Sequence, residues 1–421
     1  MRILLLGDTY LPERAAAAVR ASELAERWTA LGHSVTVVTG NPHYPEGRIF
    51  PGYANRLFVK DEVNGTPVHR IFTVPFARGA LVKRIINQIL FAFLPVLLDR
   101  AGGADIVVGT SPPLTIGLSA WLMARRRGVP FVFDVRDLYP AAIEISDTLR
   151  QHPLIRIFKA LEAFVYRKAS RITVASRFWA EKIVAQGVQP EKVVVIHNGA
   201  NVSRFCPAPA NSALRARYGI ASDRFLVGYV GLMGLAHGAM VILEAAERLR
   251  DSPEIHFLFV GEGSDKQAMM DRARAAGLKN ITFSESVPPE EVPGILQACD
   301  AGVATLKRVE FTRGMIPVKL FEMMACGLPV LFSGWGETEE IVKSSGAGLI
   351  VPCEDGAGLA AAARELAGDR QRARVMGEKG RAFVALNFDR KKSADRYEEL
   401  LTRVVADLPG PAEEEKKTHL Q

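Results

Sequence analysis

Apolar residues in this chain gather into short unbroken runs, each followed by a longer stretch in which apolar positions recur at helical spacing. Residues 2–8 (RILLLGD) form the first run and read as a strand buried on both faces, with a helix predicted over 15–31 and a second strand over 34–39. Further strands are predicted over 68–74, 105–110, 130–135, 171–175 and 193–196, with helices between them. At 203–223 the pattern breaks into Pro, Ala and Ser and reads as a linker. It then restarts, with strands over 225–230, 256–260, 281–283, 301–304, 330–332 and 349–351. Helices over 358–366, 370–385 and 389–405 follow, and a charged tail, 409–421, is expected to be disordered. Strand and helix in alternation imply parallel sheets covered on both faces. The fold class expected is α/β, with two doubly wound, Rossmann-like domains, 1–203 and 204–388, and a C-terminal helix, 389–408, packing back on the first. Open sheets of this kind bind ligands beyond the carboxyl ends of their strands, so the site is expected in the cleft between the domains.

Composition narrows the class. With 421 residues the chain exceeds one ordinary domain, and 48% apolar with 24% charged residues describes a soluble globular protein. The four cysteines, Cys206, Cys299, Cys326 and Cys353, show no CxxC and no Cys/His pairing, so neither a zinc site nor a disulfide framework is indicated, and a reducing cytosol fits. The first apolar run is too short for a signal peptide, and no stretch reaches the roughly 20 apolar residues of a membrane span. The expectation is therefore a cytoplasmic protein. Residues 1–200 hold 25 Lys/Arg against 16 Asp/Glu, and the remainder 28 against 30, so the net charge of +7 belongs to the first half. Such a basic half suits nucleic acid, an anionic membrane or a phosphorylated substrate, or is simply a solvated surface. Nucleic acid is disfavoured, because there is no zinc-finger spacing, no aromatic RNP-like segment and no long basic helix. The apolar segment 82–98 carries Lys83, Arg84, Asn87 and Gln88 and contains Pro95. It reads as a buried helix or, with Arg78 and the run Arg125–Arg127, as a peripheral contact with anionic lipid.

The chemistry concentrates in residues 314–329 (GMIPVKLFEMMACGLP), where Pro317 opens a short helix carrying Lys319 and Glu322. A helix start attracts phosphate, Lys319 adds a cation, and a carboxylate such as Glu322 can accept from two ribose hydroxyls. The helix also has a core face, from Leu320 through Ala325, and the two readings are compatible. The first strand's turn lacks GxGxxG, which disfavours a nicotinamide oxidoreductase. The loop 40–47 (GNPHYPEG) suits a segment facing substrate.

In this architecture, Pro317-x-Lys319-x-x-Glu322-x-x-Ala325-x-Gly327-x-Pro329 resembles the donor-site motif of retaining family 4 glycosyltransferases of GT-B fold. Gly228-x-x-Gly231-x-x-Gly234, Val260-Gly261-Glu262-Gly263 and Ile196-His197-Asn198-Gly199 extend the resemblance. In the first half, YLPE at 10–13, NPHYP at 41–45, TSPPL at 110–114 and VRDLYP at 135–140 resemble a bacterial branch acting in O-antigen and colanic acid assembly. That branch moves fucosyl or N-acetylfucosaminyl residues onto lipid-linked saccharides. The resemblance implies transfer of a sugar, such as an N-acetylated 6-deoxyhexose or N-acetylhexosamine, from a UDP or GDP donor with retention. The acceptor implied is a polyprenyl-diphosphate-linked saccharide, and the place the inner face of the cytoplasmic membrane. No metal or other cofactor is expected, since enzymes of this fold generally neutralise the diphosphate with protein charges, and no DxD sits at a strand end.

Catalytic roles are then expected of Lys319, Glu322 and Arg136. Donor contacts are expected of Gly231, Gly234, His237, Gly261, Glu262, Arg313, Gly314 and Pro317, and acceptor contacts of Asp8, Glu13, His43 and Asp137. The turn at 231–234 is read as bringing backbone N–H groups to the diphosphate, or as tight packing. The family's first carboxylate falls at Gly314, and His237 stands where Lys is common, leaving Lys319, Arg313, Lys307 or Arg308 for the phosphate charge and His237 for a partial share. Arg136, where the superfamily often has His, reads equally as a partner of Asp134 or Asp137, and Glu13 equally as a helix cap. Two rivals share the donor site: a sugar-nucleotide 2-epimerase and a nucleotide-sugar-binding protein without activity.

Overall fold

A strand with Val, Leu, Ile and Phe on both faces is stable only inside a sheet covered on both sides, and two such sheets organise this protein. The computed structural model describes residues 1–44, 46–76, 81–138, 154–209 and 212–407; the tail 409–421 and Arg78 lie outside them. The chain divides into two compact units. The first comprises Met1–Ala175, Trp179–Ile196 and the chain from Ala394, and the second Ser176–Phe178 and His197–Ser393.

The first unit has strands β1 (Arg2–Leu6), β2 (Ser34–Gly40), β3 (Phe58–Val63), β4 (Thr66–Ile71), β5 (Ile106–Thr110), β6 (Phe131–Val135), β7 (Arg171–Val174) and β8 (Val193–Val195). They lie in the order β3-β4-β2-β1-β5-β6-β7-β8, parallel except for the β3–β4 hairpin. Strand β3 is absent from the sequence reading because its polar alternation (FVKDEV) suits a sheet edge, where burial gives no apolar run. Its signal was the Asn64-Gly65 turn, both residues at positive φ, a pair that favours two-residue hairpins. Trp28, on the helix Ala16–Ala30, is fully buried, packs edge-on against Tyr397 at 5.3 Å and donates its indole N–H to the Ala394 carbonyl. Arg27 pairs with Asp395 at 2.6 Å and His33 with Glu398 at 2.8 Å, so the last helix, Arg390–Ala406, completes this unit's core from Ala394 onward.

The helix Leu81–Leu97 settles between its two readings by having two faces. Asn87, Gln88, Phe91 and Ala92 are buried, while Ile86, Ile89, Phe93 and Leu97 form an exposed stripe beside exposed Lys83 and Arg84. Among the described residues no helix is long and apolar enough to cross a membrane.

The second unit has β9 (Phe225–Val230), β10 (Ile255–Val260), β11 (Ile281–Ser284), β12 (Ala301–Thr305), β13 (Val330–Ser333) and β14 (Gly348–Val351), all parallel in the order β11-β10-β9-β12-β13-β14. Alternate β9 residues feed two cores, Leu226 and Val230 one, Phe225, Val227 and Tyr229 the other. The chain leaves β9 in one direction for β10 and returns to its other side as β12, so the topological switch lies between β9 and β12. The stretch 203–223 is no free linker. Arg215, on the helix Ser212–Arg217, is buried and donates to the carbonyls of Ala298, Ser222 and Arg224 and to Asp300. This locks residues 212–223 into the second unit.

Candidate active site

At the switch point of the second unit, the turns after β9 and β10 interlock through main-chain hydrogen bonds. Gly231 N–H donates to Val260 O and Met233 N–H to Glu262 O, both at 2.9 Å. Two N–H groups expected to face a diphosphate are therefore committed within the protein, and the turn offers fewer donors than its sequence implies. Gly261 sits at φ +147°, and a Cβ there would fall on the Gly231 carbonyl, so only glycine permits this approach. Gly231, at φ +133°, faces the Lys319 side chain, its virtual Cβ 3.3 Å from Nζ. Gly234 is in ordinary contact with Leu232.

Lys319 lies on the helix Val318–Ala325, and Pro317, at ψ 126°, precedes that helix instead of opening its first turn. The rest of the helix is core, with Leu320, Phe321, Met323, Met324 and Ala325 buried. The Lys319 Nζ is buried without a hydrogen-bond partner and stands 3.6 Å from the centre of the Tyr229 ring. Burial brings its pKa down to about 7, against a partly offsetting pull from Glu322. Glu322 itself lies 3.4 Å from Arg390 Nη2. His237 is nearby, its Nδ1 buried and unpartnered, and burial followed by the Lys319 charge lowers its pKa to about 3. His237 is thus neutral at physiological pH and adds no share of positive charge, contrary to the expectation for it.

The remaining donor-side candidates are placed less centrally. The Glu262 carboxylate binds Lys266 at 2.7 Å. Arg313 is exposed, its guanidinium 5.0 Å from the Phe178 ring, while Gly314 is buried. A Cβ on Gly336 would strike the Arg313 carbonyl, and Trp335 Nε1 donates to Thr312, so the segment 310–314 is pinned by the turn after β13. Just beyond, Glu337 accepts from His197 at 2.8 Å and from the Arg177 N–H. Burial pushes the Glu337 carboxyl up, but the His197 and Phe178 hydrogen bonds outweigh it, leaving it below its ordinary value. Tyr229, Trp335, Glu337 and Arg390 escaped sequence reading because each is placed by a long-range contact; the hint for Glu337 was the Gly336 before it, in the turn after β13.

In the first unit the strand ends gather the other candidates. Glu13 does not cap a helix. Its Oε1 accepts the N–H groups of His43 (3.0 Å) and Tyr44 (2.8 Å), joining the loops after β1 and β2. Burial raises its pKa to about 7, and Asp8 adds a repulsive charge. Asp8 is raised to about 6, by burial set against Arg84. The His43 Nδ1 lies 3.1 Å from the Asn41 carbonyl, which can only accept, so Nδ1 carries the hydrogen. The lone pair of neutral His43 is therefore on Nε2, which is buried and unpartnered. Arg136 and Asp137 follow β6. Arg136 is 3.6 Å from Asp134, a long contact, whereas Arg20, Thr110 and Thr173 reach that carboxylate within 2.8 Å. Burial and then the Arg20 charge bring Arg136 down to about 10, and burial lifts Asp137 to about 6. No group of metal-binding side chains occurs among the described residues.

Residues 15–199 match the family described as "Glycosyl transferase 4-like domain", and residues 211–383 that described as "Glycosyl transferases group 1". The chain belongs to the GT-B glycosyltransferases. A relative of this glycosyltransferase, WcaI of Escherichia coli (strain K12), assigned to colanic acid biosynthesis, is 26% identical over 80% of this chain and 84% of its own. Among solved structures, sucrose-phosphate synthase from Thermosynechococcus elongatus superposes with a TM-score of 0.75 at 17% identity, over 97% of this chain and all of its own. Anabaena Alr3699/HepE in complex with UDP-glucose gives 0.71 at 18% identity, over 96% of this chain and 100% of its own. These likenesses establish the fold. The protein is a sugar-nucleotide-dependent glycosyltransferase.

Proposed function

We propose that this glycosyltransferase moves a sugar from a nucleoside diphosphate, with UDP first among candidates, to a hydroxyl of a lipid-linked saccharide in cell-surface polysaccharide assembly, with retention. One observation carries the donor half: an unpartnered Lys319 amine beside Gly231, at the β9/β12 switch point. As the glycosidic bond breaks, the diphosphate gains charge and the sugar becomes oxocarbenium-like. An amine near its pKa and without a hydrogen-bond partner is placed to answer that charge. The Leu232 and Gly234 N–H groups supplement it, and Glu322 takes the ribose hydroxyls, trading its contact with Arg390. The HepE complex supports UDP as donor nucleotide. The resemblance in the first unit supports a 6-deoxy or N-acetylated sugar and a lipid-linked acceptor, and WcaI, named for colanic acid biosynthesis, supports a role in polysaccharide assembly.

On the acceptor side, the His43 Nε2 lone pair is a ready partner for a sugar O–H, with Asp8, Glu13, Asp137 and Arg136 around the same strand ends. The exposed stripe of the helix Leu81–Leu97, beside Lys83 and Arg84, supports peripheral contact with an anionic membrane.

Incubation of the protein with UDP- and GDP-sugars, with and without polyprenyl-diphosphate-linked saccharides, tests this reading. Labelled sugar is expected in the lipid fraction only when the acceptor is present, with unchanged anomeric configuration. An altered sugar nucleotide formed without acceptor, or an inverted product, would refute it.

A further inference from the structure

Lys319 and the glycine turn share one neighbour. Tyr229, the fifth residue of β9, is 1% exposed and has the Lys319 Nζ over its ring, 3.6 Å from the centroid. Its hydroxyl donates to the Leu232 carbonyl at 2.7 Å, inside the turn Gly231–Gly234. The ring is fixed from behind, tilted against Phe259 at 5.4 Å, which in turn stacks on Phe283 at 5.0 Å. An ammonium centred over an aromatic face is attracted by the ring quadrupole, and most strongly where water is excluded. Here the amine has no hydrogen-bond partner, so the ring, together with the charge of Glu322, is what attracts it.

We propose that Tyr229 is the positioning residue of the donor site: its ring face seats the Lys319 ammonium and its hydroxyl ties the glycine turn, so one side chain sets the separation of cation and diphosphate cradle. This rests on the donor-site reading above. In it, the free site holds an amine that burial leaves half-charged near neutral pH, and an arriving diphosphate completes the charge, so binding takes up a proton. The ring's two contacts are separable. Tyr229→Phe keeps the seat and removes the tie, whereas Tyr229→Leu removes both.

Calorimetric titration with UDP and GDP, the tighter of the two serving as probe, from pH 6 to 9 tests the inference. Affinity of the unmodified protein falls as pH rises through the Lys319 titration. In Tyr229→Leu the midpoint moves to lower pH, because the neutral amine has lost what favoured its charged form, and affinity at pH 8 falls about 3- to 30-fold. Tyr229→Phe keeps the wild-type midpoint while weakening binding a few-fold at every pH. Thermal melting checks that each variant folds, and Tyr229→Met replaces the Leu variant if that one does not. A ring-less variant that folds and keeps the wild-type midpoint overturns the inference, as does a Phe variant whose midpoint moves as far as the Leu variant's. Lys319→Ala separates the two levels. If it binds the probe as wild type does, with the same pH profile, the donor-site reading falls and this inference with it. If it weakens and flattens the profile while Tyr229→Leu changes nothing, only the role of Tyr229 falls.

Discussion

Lys319 and Glu13 are ionisable groups held out of water, and each ties stability to pH in an opposite sense. Burial lowers Lys319 from 10.5 to about 7, so between those values the unfolded chain binds the extra proton and stability rises with pH. The cost is complete below about pH 7. Lys319→Met is expected to raise folding stability by about 1–3 kcal/mol at pH 6.5, less toward pH 10, while abolishing pH-dependent nucleotide binding. Melting temperature against pH, alongside calorimetry, checks both halves. Glu13 is raised from 4.5 to about 7, so the folded protein binds the extra proton and stability falls as pH rises through that window. Glu13→Gln keeps an oxygen for the His43 and Tyr44 N–H groups and removes the charge. It is expected to stabilise by about 1–3 kcal/mol at pH 8 and by almost nothing at pH 4.5, read from denaturant midpoints.

Two elements carry the expectations of intermediate scale. The interlocked turns after β9 and β10 have no room for a Cβ on Gly261, and its φ of +147° is unfavourable for any other residue. Gly261→Ala is expected to destabilise the protein by about 2–4 kcal/mol and to weaken nucleotide binding, as measured by chemical denaturation and calorimetry. The helix Leu81–Leu97 exposes Ile89 at 54% and Phe93 at 49% on one stripe. Ile89→Ser combined with Phe93→Ser is expected to abolish sedimentation with phosphatidylglycerol vesicles without lowering the melting temperature. Sedimentation equal to wild type would remove the membrane contact. The strands of both sheets were legible because their apolar runs must be covered on two faces, and observed bounds differ from those expected mainly by a residue or two. β3 was missed because an edge strand is free to be polar.

At the scale of the whole molecule, a remote stretch of sequence finishes each unit. The Tyr397 ring fills the first unit's core against Trp28, and its hydroxyl lies 3.3 Å from Thr173, more than two hundred residues earlier. Tyr397→Ala is expected to cost about 3–5 kcal/mol and to expose an aggregation-prone face, observable as an earlier thermal transition with light scattering. In the second unit, Arg215 turns an apparent tether into part of the core, since a buried guanidinium with four partners cannot be released without leaving a charge unpaired.

What the sequence by itself determined is what depends on neighbours along the chain: apolar runs that must become covered strands, glycines where a turn needs them, and a Lys and Glu at fixed spacing on one short helix. Those local rules suffice for the α/β class, the two parallel sheets and the donor motif. The tertiary structure alone decided which polar groups are spoken for. It committed the Gly231 and Met233 N–H groups to the neighbouring turn, discharged His237 by burial, and brought Tyr229 under Lys319 from ninety residues away. Protonation and hydrogen-bond commitment follow from water exclusion and through-space distance, and neither quantity exists until the chain has folded.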